Sequence, residues 1–295
     1  MSIVYLPQYS AFGDYKNFRR KMIMKKVLLS VLLVFSLVFT LAGCSSSSTD
    51  TSDDTATADD GSLQAVIDAG VLKVGVKEDV PNFGLRNTET GEIEGFEVDL
   101  AKMLAAEILG DENAVELTPV TAKTRGPLLD NGELDLVIAT FTITEERKLT
   151  YNFSTAYYED AVGLLVKKDA GFTGLADMDG AVIGVAQSAT SKDAVQAAAD
   201  ELGVSVTFSE YATYPEIKAA LDSGRVDAFC VDGSILGGYV DDSTMILPDR
   251  FSPQEYGVTS NLNNVALAEA VDGYINGWLE DGTIEELITK WGLNY

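Results

Sequence analysis

Thr140, Thr142 and Thr144 stand at alternate positions, and Glu145, Glu146 and Arg147 follow them directly. A guanidinium offers a planar, two-pronged donor set, and the free N–H groups of a helix start favour an anion. Together with hydroxyls they suit a carboxylate. Thr144 reads as the N-cap of a short helix carrying both glutamates in its first turn. The same residues also fit a plain connecting loop whose arginine pairs with its own glutamates. Upstream, Leu134–Ile138 (LDLVI) is an apolar, β-branched run of the kind that forms a strand buried on both faces. The hydroxyls therefore fall just past a strand end.

A weak internal repeat gives this arrangement a counterpart. Leu129–Asp135 (LDNGELD) recurs as Leu221–Asp227 (LDSGRVD), and Val74-Gly75-Val76 echoes Ile183-Gly184-Val185. Two similar α/β lobes explain the repeat more simply than one sheet. Under it, Thr140 corresponds to Asp232, and both lie beyond strand carboxyl ends, where open α/β sheets bind ligands. A cleft between two lobes would bring them face to face. Asp232 also suits the N-cap of a helix starting near Ser234, whereas Asp227 caps or orients its strand. Gly184–Thr190 reads as a strand followed by a helix start, too loosely spaced for a phosphate loop. Lys77 follows the first strand, Arg125 lies in KTRGPLL and Tyr214 in YATYP. In a chain this acidic, two further cations near strand ends suggest a specific task. The simpler alternative is an exposed Lys77 and an Arg125 on a helix surface.

The composition is globular, with 46% hydrophobic and 23% charged residues, and the net charge of −25 argues against nucleic acid or anionic lipid as partner. The absence of histidine removes His-dependent catalytic triads and any His metal site. Only Cys44 and Cys230 are present, so there is no disulfide framework, and Cys230 reads as a buried core thiol.

In chain order, residues 1–21 show no sustained period, and translation is expected to start at Met22 or Met24. Basic residues, the apolar run Val27–Ala42 and small residues then follow in the order of a secretory signal peptide. Leu41-Ala42-Gly43-Cys44 resembles a bacterial lipoprotein cleavage box, with Cys44 the lipidated first residue. Residues 44–61, small, polar and acidic, read as a flexible tether. From Ser62 strand and helix patterns alternate, which favours parallel sheets with crossover helices. A helix is expected over Ser62–Gly70, a strand over Val71–Val76 and a helix over Glu97–Leu109. Thr283 and Glu286 form a capping-box pattern for the last helix. One lobe is expected over 62–158 plus 254–295 and the other over 159–253. Extended crossings near 159–168 and 253–260 would join them.

The run FTITEER, followed by YNFS and YY, resembles the signature segment of the family-3 bacterial solute-binding proteins, which deliver amino acids to ABC importers. The likeness extends from about Leu72 to the C-terminus. It implies a two-lobed α/β fold of the type II periplasmic-binding-protein class, with two hinge strands. It also implies that Arg147, Thr140 and Thr142 hold a ligand α-carboxylate, that the Gly184–Thr190 loop meets its other side through Thr190, and that Asp232 takes the α-ammonium. The segments GVKEDVP, KTRGPLLDNG and VIATFTIT are similar to the aspartate/glutamate-binding branch. There the residues matching Lys77 and Arg125 hold the side-chain carboxylate, the one matching Tyr214 hydrogen-bonds the ligand, and Phe83 falls at an aromatic lid position. The expectation is an extracytoplasmic, lipid-anchored, monomeric receptor that takes aspartate or glutamate and meets permease subunits, with no cofactor or metal and no enzymatic role. Alternatives are glutamine or cystine as ligand, a dehydratase-type enzyme on the same fold, or a surface sensor or adhesin.

Overall fold

The computed structural model describes residues 60–293. The upstream extension, the signal-peptide run, Cys44 and nearly all of the proposed tether lie outside the described residues.

The described residues begin with α1 (Ser62–Ala69), β1 (Leu72–Val76), β2 (Asp79–Val80), β3 (Gly84–Arg86) and β4 (Ile93–Glu94). Next come α2 (Phe96–Leu109), β5 (Val115–Pro119), α3 (Arg125–Asp130), β6 (Leu136–Ile138), α4 (Glu145–Lys148) and β7 (Tyr151–Phe153). The middle of the chain holds β8 (Tyr158–Lys167), β9 (Val182–Ala186), α5 (Ser191–Leu202), β10 (Thr207–Tyr211) and α6 (Tyr214–Asp222). It continues through β11 (Ala228–Asp232), α7 (Gly233–Gly237), β12 (Thr244–Ile246) and β13 (Phe251–Tyr256). β14 (Thr259–Asn261), α8 (Val265–Asp281) and α9 (Thr283–Lys290) complete it.

One sheet runs β5-β1-β6-β14-β7, with β5, β1 and β6 parallel and β14 antiparallel to both neighbours. The other runs β10-β9-β11-β8-β12, with β13 paired to β8. Its strands β10, β9 and β11 are parallel, while β8 runs against β11, β12 and β13. β2, β3 and β4 form a small antiparallel sheet of their own. The first sheet thus draws on 72–153 and 259–261, the second on 158–256. The two chain crossings between them lie side by side, because Tyr158 pairs with Tyr256 and Asp160 with Gln254.

The repeat is a structural fact. Asp135 Oδ2 accepts the Lys73 N–H at 2.8 Å, and Asp227 Oδ2 accepts the Val182 N–H at 2.8 Å. Each aspartate locks the start of one strand, β1 or β9, to the turn before its parallel neighbour, β6 or β11. Glycine occupies the echoed position for one reason in both lobes. A Cβ on Gly75 would lie 2.7 Å from Leu134 Cδ1, and one on Gly184 would lie 2.7 Å from Ile217 Cγ2.

Two sequence expectations are corrected. Asp60, assigned to the tether, is bound into the fold: its carboxylate accepts N–H groups of Ser62 (2.8 Å), Val265 (2.5 Å) and Ala266 (3.3 Å). It ties the start of α1 to the start of α8, where helix N–H groups lack internal partners. Thr283 is not an N-cap. Gly282 takes that position, and Asp281 Oδ1 accepts the Thr283 N–H at 2.9 Å.

Candidate functional site

Thr140 ends the turn after β6 with φ at 47°, a left-handed conformation that a β-branched residue adopts only under constraint. Two buried charges supply that constraint. Glu97 Oε1 accepts the Thr140 N–H at 2.6 Å, and Arg125 Nη1 donates to the carbonyls of Ala139 (2.5 Å) and Thr140 (3.0 Å). Glu97 Oε1 also accepts the Tyr157 hydroxyl at 2.6 Å. Glu97 and Arg125 are both buried, so the surface-helix alternative for Arg125 does not hold.

Lys77 is buried too, against the alternative of an exposed side chain. Its Nζ pairs with Asp79 Oδ1 at 3.0 Å and lies 4.6 Å from the centre of the Tyr214 ring. Asp79 Oδ2 accepts the Tyr214 N–H at 3.3 Å, and the Tyr239 hydroxyl donates to the Asp79 carbonyl. The Lys77–Asp79 pair thereby joins the first lobe to two residues of the second.

Arg147 is half-buried at the same place. Its Nη1 donates to Thr142 O at 2.7 Å and its Nη2 to Ser188 O at 3.3 Å, a contact across the lobes. The Phe141 ring lies beneath both guanidinium groups, 3.9 Å from Arg125 Cζ and 4.7 Å from Arg147 Cζ. Such stacking partly offsets the desolvation of the two cations. Thr144 is the N-cap of α4 as expected, accepting the Arg147 N–H at 3.1 Å.

Asp232, at the end of β11, precedes α7, but its side chain makes no capping bond. Asp160 does that work instead, accepting the Ser234 N–H at 3.0 Å together with the Ser234 hydroxyl. Asp232 is therefore released toward the cleft, where Oδ2 accepts the Tyr256 hydroxyl. Gln254 closes the hinge side: its Oε1 accepts the hydroxyls of Thr142 and of Thr190, each at 2.7 Å. Phe83 is fully buried, edge-on to Tyr158 at 5.1 Å and to Tyr256 at 6.0 Å. It lies inside an aromatic cluster behind Asp232 rather than at an exposed rim.

Burial sets the electrostatics. It pushes the Glu97 carboxyl up to about 7, although the Tyr157 and Thr140 hydrogen bonds and the cations Arg125 and Lys77 pull it down. Burial, and then neighbouring Asp160, push Asp232 up to about 7 as well. Burial lowers Lys77 against the pull of Asp79, and burial together with Arg125 lowers Arg147 to about 9. Among the described residues five buried side-chain polar atoms have no hydrogen-bond partner: Asp79 Oδ1, which pairs with the Lys77 ammonium, Thr140 Oγ1, the acceptors Glu97 Oε2 and Asp232 Oδ1, and the donor Arg125 Nε. An unpartnered buried polar group costs about 1–3 kcal/mol. Glu97, Arg125 and Asp232 bring theirs to the strand ends from both lobes, so the arrangement suits a small molecule carrying donors and an acceptor. Among the described residues no group of three metal-ligating side chains occurs.

Residues 72–193 match the family model described as bacterial extracellular solute-binding proteins, family 3. A glutamine-binding protein of Geobacillus stearothermophilus is 42% identical over 207 residues, covering 69% of this chain and 78% of the relative. The chain belongs to the family-3 bacterial extracellular solute-binding proteins. An ABC transporter glutamine-binding protein of Bacillus subtilis is 36% identical over 233 residues, covering 78% of this chain and 84% of the relative. Among solved structures, an ancestral arginine-binding protein bound to glutamine aligns with a TM-score of 0.67 at 33% identity, covering 75% of this chain and 97% of that one. The two sheets and their paired crossings are those of the two-lobed type II periplasmic-binding-protein fold.

Of the residues picked from sequence, Lys77, Arg125, Thr140, Thr142, Arg147, Thr190, Tyr214 and Asp232 gather at the facing strand ends. Sequence reasoning missed Glu97, Asp79, Phe141, Gln254 and Tyr256. Glu97 had one readable signal, an acid in the first turn of a helix whose neighbours Phe96 and Val98 are both apolar and buried. Asp79 and Gln254 had none, because burial of the Lys77–Asp79 pair and the contacts of Asp79 with Tyr214 and of Gln254 with Thr142 and Thr190 arise only on folding.

Proposed function

We propose that this solute-binding protein is the extracytoplasmic receptor of an ABC amino-acid importer and that its ligand is glutamine. The observation that carries this reading is the charge balance of the site. Once Glu97 and Asp232 are ionised, above the value of about 7 to which burial raises each, the cations Lys77, Arg125 and Arg147 are matched by the acids Asp79, Glu97 and Asp232. A zwitterion with a neutral side chain keeps that balance. Aspartate or glutamate adds a negative charge beyond that balance, since Lys77 is paired to Asp79 and Arg125 already faces Glu97. This weighs against the aspartate/glutamate reading, and the likeness to glutamine-binding proteins supports the amide.

In this reading Arg147, with Thr142 and Thr190 behind it, takes the α-carboxylate. Asp232 Oδ1 takes the α-ammonium, and the side chain reaches Arg125, Glu97 and Tyr214. Lobe closure brings the two halves together, as in hinge-type binding proteins. The relatives are binding proteins, and this chain is a binder rather than an enzyme. It acts as a monomer tethered through Cys44.

Calorimetric titration with the twenty common amino acids and cystine tests the ligand. Glutamine is expected to bind tightest, at 1:1 and without turnover, with glutamate weaker by about tenfold or more. Tightest binding of aspartate, glutamate or cystine refutes the assignment.

A further inference from the structure

We infer that Glu97 is the residue that selects the ligand's side-chain amide, through its unpartnered Oε2. The inference rests on the glutamine reading above and deepens it. Glu97 is buried at the first-lobe floor, and its two oxygens have different occupations. Oε1 is fully engaged by the Thr140 N–H and the Tyr157 hydroxyl. Oε2 is enclosed and accepts from nothing. Beside it, Arg125 spends Nη1 on the carbonyls of Ala139 and Thr140, while its Nε is enclosed and donates to nothing.

One unused acceptor and one unused donor on neighbouring side chains make a complementary pair. A primary amide answers both. Its N–H₂ donates to Glu97 Oε2 and its carbonyl accepts from Arg125 Nε. A carboxylate answers only the arginine and sets a like charge against Oε2, in a setting where such contacts cost several kcal/mol. A ligand cation would satisfy Glu97 and leave Arg125 Nε opposed. Of the three side-chain classes, only the neutral amide fills the pair without an unmatched group.

The charged and titratable groups facing Glu97 are Lys77 at the end of β1, Arg125 on α3, and Tyr157 ahead of β8, with Asp79 paired behind Lys77. With its proton on, Glu97 becomes a donor and a glutamate side chain is tolerated. With the proton off, it is repelled. Glutamine's advantage over glutamate should therefore grow as pH rises. The ordinary carboxylate range lies well below the value of about 7 to which burial raises Glu97, so the growth falls near neutrality. Asp232, also raised, faces the α-ammonium that both ligands share and cancels from their ratio.

The decisive experiment measures glutamine and glutamate affinities for the wild type and for Glu97→Gln. The amide variant keeps an oxygen for the Thr140 N–H and the Tyr157 hydroxyl but turns the second position into a donor. The glutamine-to-glutamate ratio is expected to fall by about tenfold or more. An equal loss for both ligands would make Glu97 a support for the Thr140 turn and overturn the inference. If the variant does not fold, the wild-type ratio between about pH 5.5 and 8.5 decides. A rising ratio upholds the inference and a flat one overturns it. A wild type that takes no glutamine fails the proposed function itself, and with it this inference, before any variant is made.

Discussion

The two lobes share a scaffold and differ in what they place at its end. In both, a strand with a mid-strand glycine pairs in parallel with a second strand, and an aspartate, Asp135 or Asp227, locks the first strand's start. Beyond the second strand they part. The first lobe turns through Thr140 at φ 47° and runs on to Arg147 before its short helix is complete. The second keeps Asp232 extended, at φ −61° and ψ 145°, and starts α7 at the next residue. The first lobe thereby gathers Lys77, Arg125 and Arg147 with two acids to offset them, while the second contributes the single carboxylate of Asp232. Repetition fixed the framework, and divergence at one strand end in each copy gave opposite electrostatic faces. A zwitterion fits between faces of opposite sign, which is how a repeat of like parts can recognise unlike groups.

The comparison breaks most visibly at Asp232. Replacing it by alanine removes the second lobe's whole charge contribution and leaves a ligand ammonium without a counter-ion. Affinity for every amino-acid ligand is expected to fall by about 2–5 kcal/mol, roughly 30-fold or more, in a titration. Near-normal binding would mean that the second lobe contributes shape rather than charge.

A smaller effect is expected from Arg125→Met in the first lobe. Sequence alone suggests selective loss of acidic ligands. The geometry gives a different expectation, because the variant frees the Ala139 and Thr140 carbonyls and loosens the strained Thr140 turn. Stability should fall by about 1–3 kcal/mol in thermal or denaturant unfolding. Binding of amides should weaken as well as binding of acids. Full stability with a loss confined to aspartate and glutamate would restore the acidic-ligand reading.

The smallest effect sharpens the symmetry itself. Asp135→Ala and Asp227→Ala each remove one hydrogen bond of equal length at equivalent places. Each should cost about 1 kcal/mol of stability and leave the order of ligand preference intact. A clear inequality would show that one copy of the repeat depends on its lock while the other is held by packing.

Much of this was open to a reader of the sequence. The alternation of β-branched runs with amphipathic helices is local patterning, and it named the α/β class and placed α1, β1 and α2 to within a residue or two. The LDxGxxD repeat (x any residue) exposed the two lobes, because equivalent turns need equivalent residues. Thr140, Arg147 and Asp232 were legible because strand ends are where such sheets bind and because polar residues there interrupt an apolar run. Tertiary structure alone decided how the charges pair. Asp79 neutralises Lys77, Glu97 and Arg125 hold the Thr140 turn from both sides, and Asp160 takes over the capping that would otherwise occupy Asp232. Each of these depends on groups brought within about 3 Å by folding, some from segments far apart in the chain. Coulombic and hydrogen-bond energies fall steeply with distance and grow with burial, and neither distance nor burial is written in residue order. The sequence therefore determined that charged groups meet at the facing strand ends, and only the fold decided which of them remain free to meet a ligand.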